Sequence, residues 1–154
     1  MNSIDFIFKT FNQLSKEELY QILQLRAEVF VVEQNCPYQD LDNLDFDSFH
    51  LCGYLHEALV AYSRVIKPGV KYPGTSISRV ITKSIVRNFG AGKALMYESI
   101  KECKKHWREE DIFISAQERL KSFYKNIGFE INSDSYLEDG IPHIEMKFSI
   151  KNLK

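Results

Sequence analysis

The sequence predicts a mixed α/β layer fold, an α+β arrangement in which helices flank a largely antiparallel central sheet. Three observations carry that expectation. Runs of β-branched and aromatic residues of strand length alternate with stretches of helical periodicity. Two of those runs, 48–56 and 58–67, are joined tightly around Glu57 as a hairpin. A loop with two glycines, residues 87–93, delivers another β-rich run into an amphipathic helix. At 154 residues with 44% hydrophobic content, the chain can bury a sizeable core in a single domain, 1–154, and has little room for a second.

The elements follow in order. Ile4-Asp5-Phe6-Ile7-Phe8-Lys9 is short and β-rich, and Ser15-Lys16-Glu17-Glu18 has the form of a capping box that starts a helix. Beyond Leu19, residues Ile22, Leu23, Val29 and Phe30 fall on one face at helical spacing with Arg26 among them, until Asn35-Cys36-Pro37 stops the pattern; the helix should end near Glu33. Residues 38–47 carry Asp40, Asp42, Asp45 and Asp47 and read as a solvated acidic loop, which could also attract a cationic amine. After the hairpin, Lys67-Pro68-Gly69 and Tyr72-Pro73-Gly74 punctuate a loop before the β-rich run 75–82. The helix from about Gly90 to Trp107 sets Leu95, Met96, Ser99, Ile100, Cys103 and Trp107 on one side, and Lys101, Glu102, Lys104 and Lys105 on the other. Residues 112–116 form a short strand and 118–126 a short helix ending at Gly128. Residues 129–134 and 143–150 close the fold as a pair of strands around Glu138-Asp139-Gly140.

Composition narrows the function. Basic and acidic residues nearly cancel, 20 against 21, and no basic block interleaves with aromatics, so a nucleic-acid partner is not expected. Cys36, Cys52 and Cys103 are odd in number and far apart, which points to reduced thiols rather than a disulfide framework or a zinc site. Calcium is disfavoured too: a loop starting at Asp40 puts Leu44 at a ligand position and Leu51 where the glutamate belongs, and one starting at Asn43 puts Tyr54 there. No metal is expected. Asp5, Lys9 and Lys16 interrupt the first apolar segments, and no run reaches the roughly 18–20 apolar residues of a membrane span, so a cytoplasmic protein without membrane partners is expected. The partner should be a small molecule or a peptide, and free sheet edges would also accommodate a homodimer.

The loop Arg87-Asn88-Phe89-Gly90-Ala91-Gly92-Lys93 is the most specific feature. Glycines without a Cβ let an anion approach the backbone, and the following helix offers unpaired N–H groups and the positive end of its dipole. A phosphoryl-transfer loop of the form G-x-x-x-x-G-K-S/T would need Gly at Arg87 and a hydroxyl at Ala94, and a dinucleotide fingerprint would need its third Gly at Leu95. What remains, R-x-x-G-x-G between strand and helix, resembles the acetyl-coenzyme A loop of the GNAT N-acetyltransferases. Some 25 residues on, the segment Ser115-Ala116-Gln117-Glu118-Arg119-Leu120-Lys121-Ser122-Phe123-Tyr124-Lys125-Asn126-Ile127-Gly128-Phe129 is similar to the second signature of that superfamily. The segments Arg26-Ala27-Glu28-Val29-Phe30-Val31-Val32-Glu33-Gln34, Cys36-Pro37-Tyr38-Gln39-Asp40-Leu41-Asp42 and Glu138-Asp139-Gly140-Ile141-Pro142-His143-Ile144 resemble the ElaA-type acetyltransferases.

The resemblance implies a GNAT-like acyl-CoA N-acyltransferase fold and transfer of acetyl from acetyl-CoA to a primary amine of a small molecule or peptide, by direct attack in a ternary complex. It assigns the pyrophosphate to the backbone of Arg87, Asn88, Phe89, Gly90, Ala91, Gly92 and Lys93, and the pantetheine to strand backbone at Val80, Ile81 and Thr82. Gln117 stands where the family often has an asparagine that contacts the cofactor arm. Tyr124 takes the role of general acid toward the departing thiolate. A strand N–H near Val80 would polarise the carbonyl. For the base, Glu33, His50 and His143 stay open as alternatives, because 75–82 contains no carboxylate of the histone-acetyltransferase kind. The other reading is a GNAT-like acyl-CoA-binding or partner-binding module without efficient turnover. Retention of Tyr124 beside Gly90 and Gly92 favours the enzyme, since binding alone has no evident need of an acid.

Overall fold

Strands β1 (Asp5–Thr10), β2 (Phe49–Leu55), β3 (Ala58–Ile66), β4 (Thr75–Thr82), β5 (Ile112–Gln117), β6 (Glu130–Ile131), β7 (Tyr136–Glu138) and β8 (Ile141–Phe148) form one sheet in the computed structural model, which describes residues 3–152. The order is β1-β2-β3-β4-β5-β8-β6, with β7 paired to β8. Every pairing is antiparallel except β4 with β5. Three α-helices, α1 (Lys16–Arg26), α2 (Ala91–His106) and α3 (Lys121–Ile127), cover the sheet.

The alternation of β3 sorts the layers. Ala61, Ser63 and Val65 point toward α2, where Ser63 Oγ lies 2.8 Å from Ser99 Oγ, whereas Tyr62 between them packs with Ile22, Leu25 and Val29 on the opposite face. Met96, Ile100 and Cys103 of α2 and Tyr124 and Ile127 of α3 join Ile77, Ile112, Ile114 and Met146 in the larger core. The apolar side expected for the long helix is thus the buried one. The capping box is also present: Glu18 N donates to Ser15 Oγ at 3.0 Å and Ser15 N to Glu18 Oε1 at 3.2 Å, while Lys9 ties Glu18 to β1 at 2.9 Å. Cys52 and Cys103 are buried, and all three cysteines are free. Among the described residues no helix is long and apolar enough to cross a membrane.

Four elements differ from the sequence-based expectation. The first helix reaches Glu33, but as an α-helix only to Arg26; Ala27–Glu33 is a π-helix, with Gln34 N bonding Val29 O and Cys36 N bonding Val31 O in the wider i→i−5 register. The short helix opens with a 3₁₀ turn, Glu118–Leu120. The terminal pair of strands is a trio: Asp139 and Gly140, both at positive φ, turn β7 into β8, which therefore starts at Ile141, and only two residues of the expected strand 129–134 pair. Phe129 leaves the sheet for the core because its ring packs edge-on against Tyr124 and Phe148.

The acidic loop is the largest correction, because it is clamped rather than solvated. Arg26, fully buried, pairs with Asp40 at 2.8 Å and Asp45 at 2.6 Å; Arg64, also fully buried, pairs with Asp42 at 2.8 Å and Asp45 at 3.1 Å; Arg79 pairs with Asp40 at 2.7 Å. Two guanidiniums projecting from a helix and a central strand into the interior demand counter-charge, and the loop supplies it. Asp40, Asp42 and Asp45 are accordingly spent on arginine, which leaves Asp47 as the exposed carboxylate of the loop.

Candidate active site

The site begins with a fault in the sheet. Between β3 and β4 the register passes from Tyr62↔Ile81 to Arg64↔Ser78, so β4 carries an extra residue at Arg79 and Val80, and Arg79 sits at φ +52°. A non-glycine residue there costs on the order of 1 kcal/mol, which the ion pair to Asp40 and the Arg79 Nη2 bond to the Asp40 carbonyl offset. On its other side β4 meets β5 only at Thr75↔Ile112 and Ser76↔Phe113. Beyond Ser76 the two strands part, and a cavity of about 600 Å³ occupies the split.

One end of the cavity is the glycine loop, where Gly90, Gly92 and Lys93 reach the wall. Gly90 caps α2 at φ +78°, a conformation a Cβ would strain, and no side chain caps the helix. The first bond of α2 is Ala94 N to Gly90 O, so the N–H groups of Ala91, Gly92 and Lys93 lack helical acceptors. A Cβ on Gly92 would stand 3.4 Å from the Phe123 ring, in the path of anything laid across the helix end. These bare N–H groups beside an open wall fit a pyrophosphate. Arg87 instead turns back, donating to Thr82 O at 2.8 Å and to both oxygens of Glu33 at 2.7 and 3.1 Å.

Tyr124 stands along the wall between the ends. It is 6% exposed, and no hydrogen-bond partner holds its hydroxyl among the described residues, while burial pushes its pKa up to about 12. At neutral pH it is a proton donor facing the cavity.

At the other end, His143 of β8 sits in register with Gln117 of β5 and Tyr136 of β7. Its Nδ1 lies 2.7 Å from the Ile141 carbonyl, which only accepts, so Nδ1 carries the hydrogen and Nε2 is the atom that can take a proton. Glu138 Oε2 is 3.3 Å from that Nε2, and Ser115 Oγ donates to the same carboxylate at 3.3 Å.

The residues expected at the site divide. Val80, Ile81, Thr82, Arg87, Gly90, Gly92, Lys93, Gln117, Tyr124, Glu33 and His143 line the cavity. Asn88 and Phe89 do not, Phe89 being 62% exposed, and Ala91 packs with Val60 and Val86. Gln117 is fixed at both ends of its amide, donating to Gln34 Oε1 and accepting from Arg119 Nε, each at 3.0 Å. His50 is corrected: it is fully buried and absent from the wall, with Nε2–H donating to the Asp45 carbonyl at 3.0 Å and Nδ1 accepting from Tyr62 at 2.7 Å. Burial lowers its pKa and it belongs to the arginine–aspartate clamp. Glu33 lines the cavity with both oxygens occupied by Arg87, and His143 is the remaining base candidate on the wall, its Nε2 facing Glu138. Glu138, read from sequence only as part of a turn, was missed; a carboxylate one residue before the Asp-Gly turn of a hairpin, facing a histidine, was the available signal.

Residues 8–150 match the family described as Acetyltransferase (GNAT) domain. The chain is 42% identical over 137 residues to protein ElaA of Escherichia coli, covering 88% of this chain and 90% of that one. Two crystal structures superpose on it closely: an acyl-CoA N-acyltransferase from Pseudomonas aeruginosa, at 40% identity and TM-score 0.91 over 96% of this chain and all of the other, and E. coli ElaA, at 39% identity and TM-score 0.89 over 95% and 99%.

Proposed function

We propose, because this chain belongs to the GNAT acetyltransferase family and to its ElaA branch, that it transfers acetyl from acetyl-CoA to a primary amine of a small molecule or peptide. The observation that carries the reading is one continuous cavity whose wall holds an uncapped, glycine-opened helix end, a buried tyrosine hydroxyl and a histidine whose Nε2 faces a carboxylate. When bound, acetyl-CoA supplies an acyl group already activated as a thioester. Backbone N–H groups of Ala91, Gly92 and Lys93 hold the pyrophosphate, and the bulge aims the Val80 N–H at the split, where it donates to the thioester oxygen. His143 Nε2 takes the proton that the amine must lose, with Glu138 balancing the imidazolium. Tyr124 returns a proton to the departing sulfur.

The decisive experiment is calorimetric titration with acetyl-CoA, followed by thiol release over a panel of amines. Binding with amine-dependent release establishes the transferase. Binding without release points to the binding module, and absence of binding removes the reading of the glycine loop.

Two variants sharpen it. Gly92→Asp sets a carboxylate beside Phe123 and against the pyrophosphate, and should weaken acetyl-CoA binding at least about tenfold with little change in Tm. His143→Gln should lower kcat about 100-fold. Wild-type turnover in this variant assigns the base elsewhere.

A further inference from the structure

The far end of the cavity holds an imbalance of charge. Five permanent cations line the wall: Lys71, Arg79, Arg87, Lys93 and Arg119. Arg79 is paired with Asp40 and Asp42, and Arg87 with Glu33. Lys93 belongs to the cofactor end, in the first turn of α2, and Arg119 is engaged by the Gln117 side-chain oxygen. Lys71 is left. No carboxylate stands within salt-bridge distance of its ammonium among the described residues; its only close partner is the Tyr72 ring, 5.9 Å from the nitrogen.

Lys71 is not adrift on a loose loop. Tyr72 stacks on Phe113 of β5 at 5.2 Å and 7°, and Gly69 N closes the turn on Tyr72 O at 2.9 Å. The side chain is open to solvent on one flank, yet the cavity wall withdraws the ammonium from water enough to lower its pKa; Glu138 opposes that shift, and the guanidiniums of Arg79 and Arg64 add to it. An ammonium with two guanidiniums in its field and no carboxylate within ion-pair distance is a site that an incoming anion relieves. Glu138, beside His143, offers the opposite sign in the same field. A ligand complementary to both is dipolar.

We propose that the acceptor is a small amine that also carries a carboxylate, with Lys71 binding the carboxylate while the amine lies toward His143 and Glu138. The inference rests on the acetyltransferase reading and names the acceptor class of the same site. A charge-assisted bond of this kind discriminates about 10- to 100-fold, and Lys71, at the surface of its loop, can be replaced without opening the core.

The test pairs glycine, β-alanine, γ-aminobutyrate and glutamate each with its carboxamide, as acceptors for the wild type, Lys71→Met and Lys71→Glu. At least one carboxylate should be preferred over its amide about tenfold or more in kcat/KM. Lys71→Met should erase the preference through KM with kcat unchanged, and Lys71→Glu should reverse it, while acetyl-CoA affinity stays at the wild-type value. Wild-type turnover with no carboxylate preference, or a preference that survives Lys71→Met, overturns the proposal and leaves the transferase intact. Should no amine be turned over, calorimetry of the same pairs on the CoA-bound protein decides: tighter carboxylate binding that depends on Lys71 upholds the site, and equal or absent binding of both partners overturns it.

Discussion

Tyr124→Phe is expected to lower kcat at least about 100-fold while leaving the Kd for acetyl-CoA and the Tm near their wild-type values. The hydroxyl is the only atom lost. It bonds no described protein group, so its removal leaves no buried partner unsatisfied, and the ring keeps its edge-on contacts with Phe123 and Phe129. A structural tyrosine would behave in the reverse sense, with a fall in stability and intact turnover. The pKa of about 12 also fixes the pH behaviour. The phenol stays protonated through the neutral and mildly alkaline range, so the Tyr124→Phe loss should be nearly constant with pH. A thiol ionises near pH 8.5, so transfer from so weak an acid stays uphill even to the formed thiolate and is completed only as the phenolate is reprotonated from solvent; the larger contribution is the hydrogen bond to the charge gathering on sulfur. Acyl donors with poorer leaving thiols should therefore widen the gap between the two proteins. Equal turnover in Tyr124→Phe and wild type would remove Tyr124 from the chemistry.

The parts of this molecule legible in its sequence are those whose signal is local. The capping box at Ser15, the alternation of β5, the apolar side of α2 and the glycine loop each follow from residue types within a few positions, and each is present. What escaped is non-local. Arg26, Asp40, Asp42, Asp45 and Arg64 are separated by 14 to 22 positions within their pairs, and nothing near Asp45 indicates that two buried guanidiniums will close over it. An acidic loop with no known partner reads as solvated for the same reason. His50 entered as a base candidate because a histidine on a strand advertises chemistry, and only the third dimension supplies the Tyr62 hydroxyl and Asp45 carbonyl that occupy it. The π-helix is the subtler case: the apolar spacing is compatible with a continued α-helix, and the wider register brings Val29, Phe30, Glu33 and Gln34 together onto the cavity wall. Lys71 and Glu138 sit in turns, where sequence reports geometry and is silent about which charges will meet.

Asp45→Ala should be the most destabilising single change, about 3–5 kcal/mol, read as a fall in Tm of roughly 10 °C. The cost comes from what stays behind. One carboxylate oxygen serves Arg26 at 2.6 Å and Arg64 at 3.1 Å, and both guanidiniums are fully buried, so its removal leaves two interior cations short of charge. Asp40 and Asp42 remain, which bounds the loss, and a fall of less than about 2 °C would mean that these two suffice. The clamp also sets the acid limit of the fold. Burial tends to raise the Asp42 pKa, but its hydrogen bonds from Arg64 prevail and hold it at about 2, and Asp45 is lowered likewise. Because the folded pKa of Asp42 lies below the unfolded value near 4, the stability it contributes is complete above that value and lost as pH falls through about 2. Wild-type Tm should therefore drop steeply between pH 4 and pH 2, and Asp42→Asn should flatten that slope, since its side chain no longer titrates. The same acid range should weaken acetyl-CoA binding before it unfolds the sheet. Asp42 pairs with Arg79, which sits at positive φ in the bulge beside the split; as Asp42 protonates, Arg79 loses part of its counter-charge and the split can relax toward a paired strand.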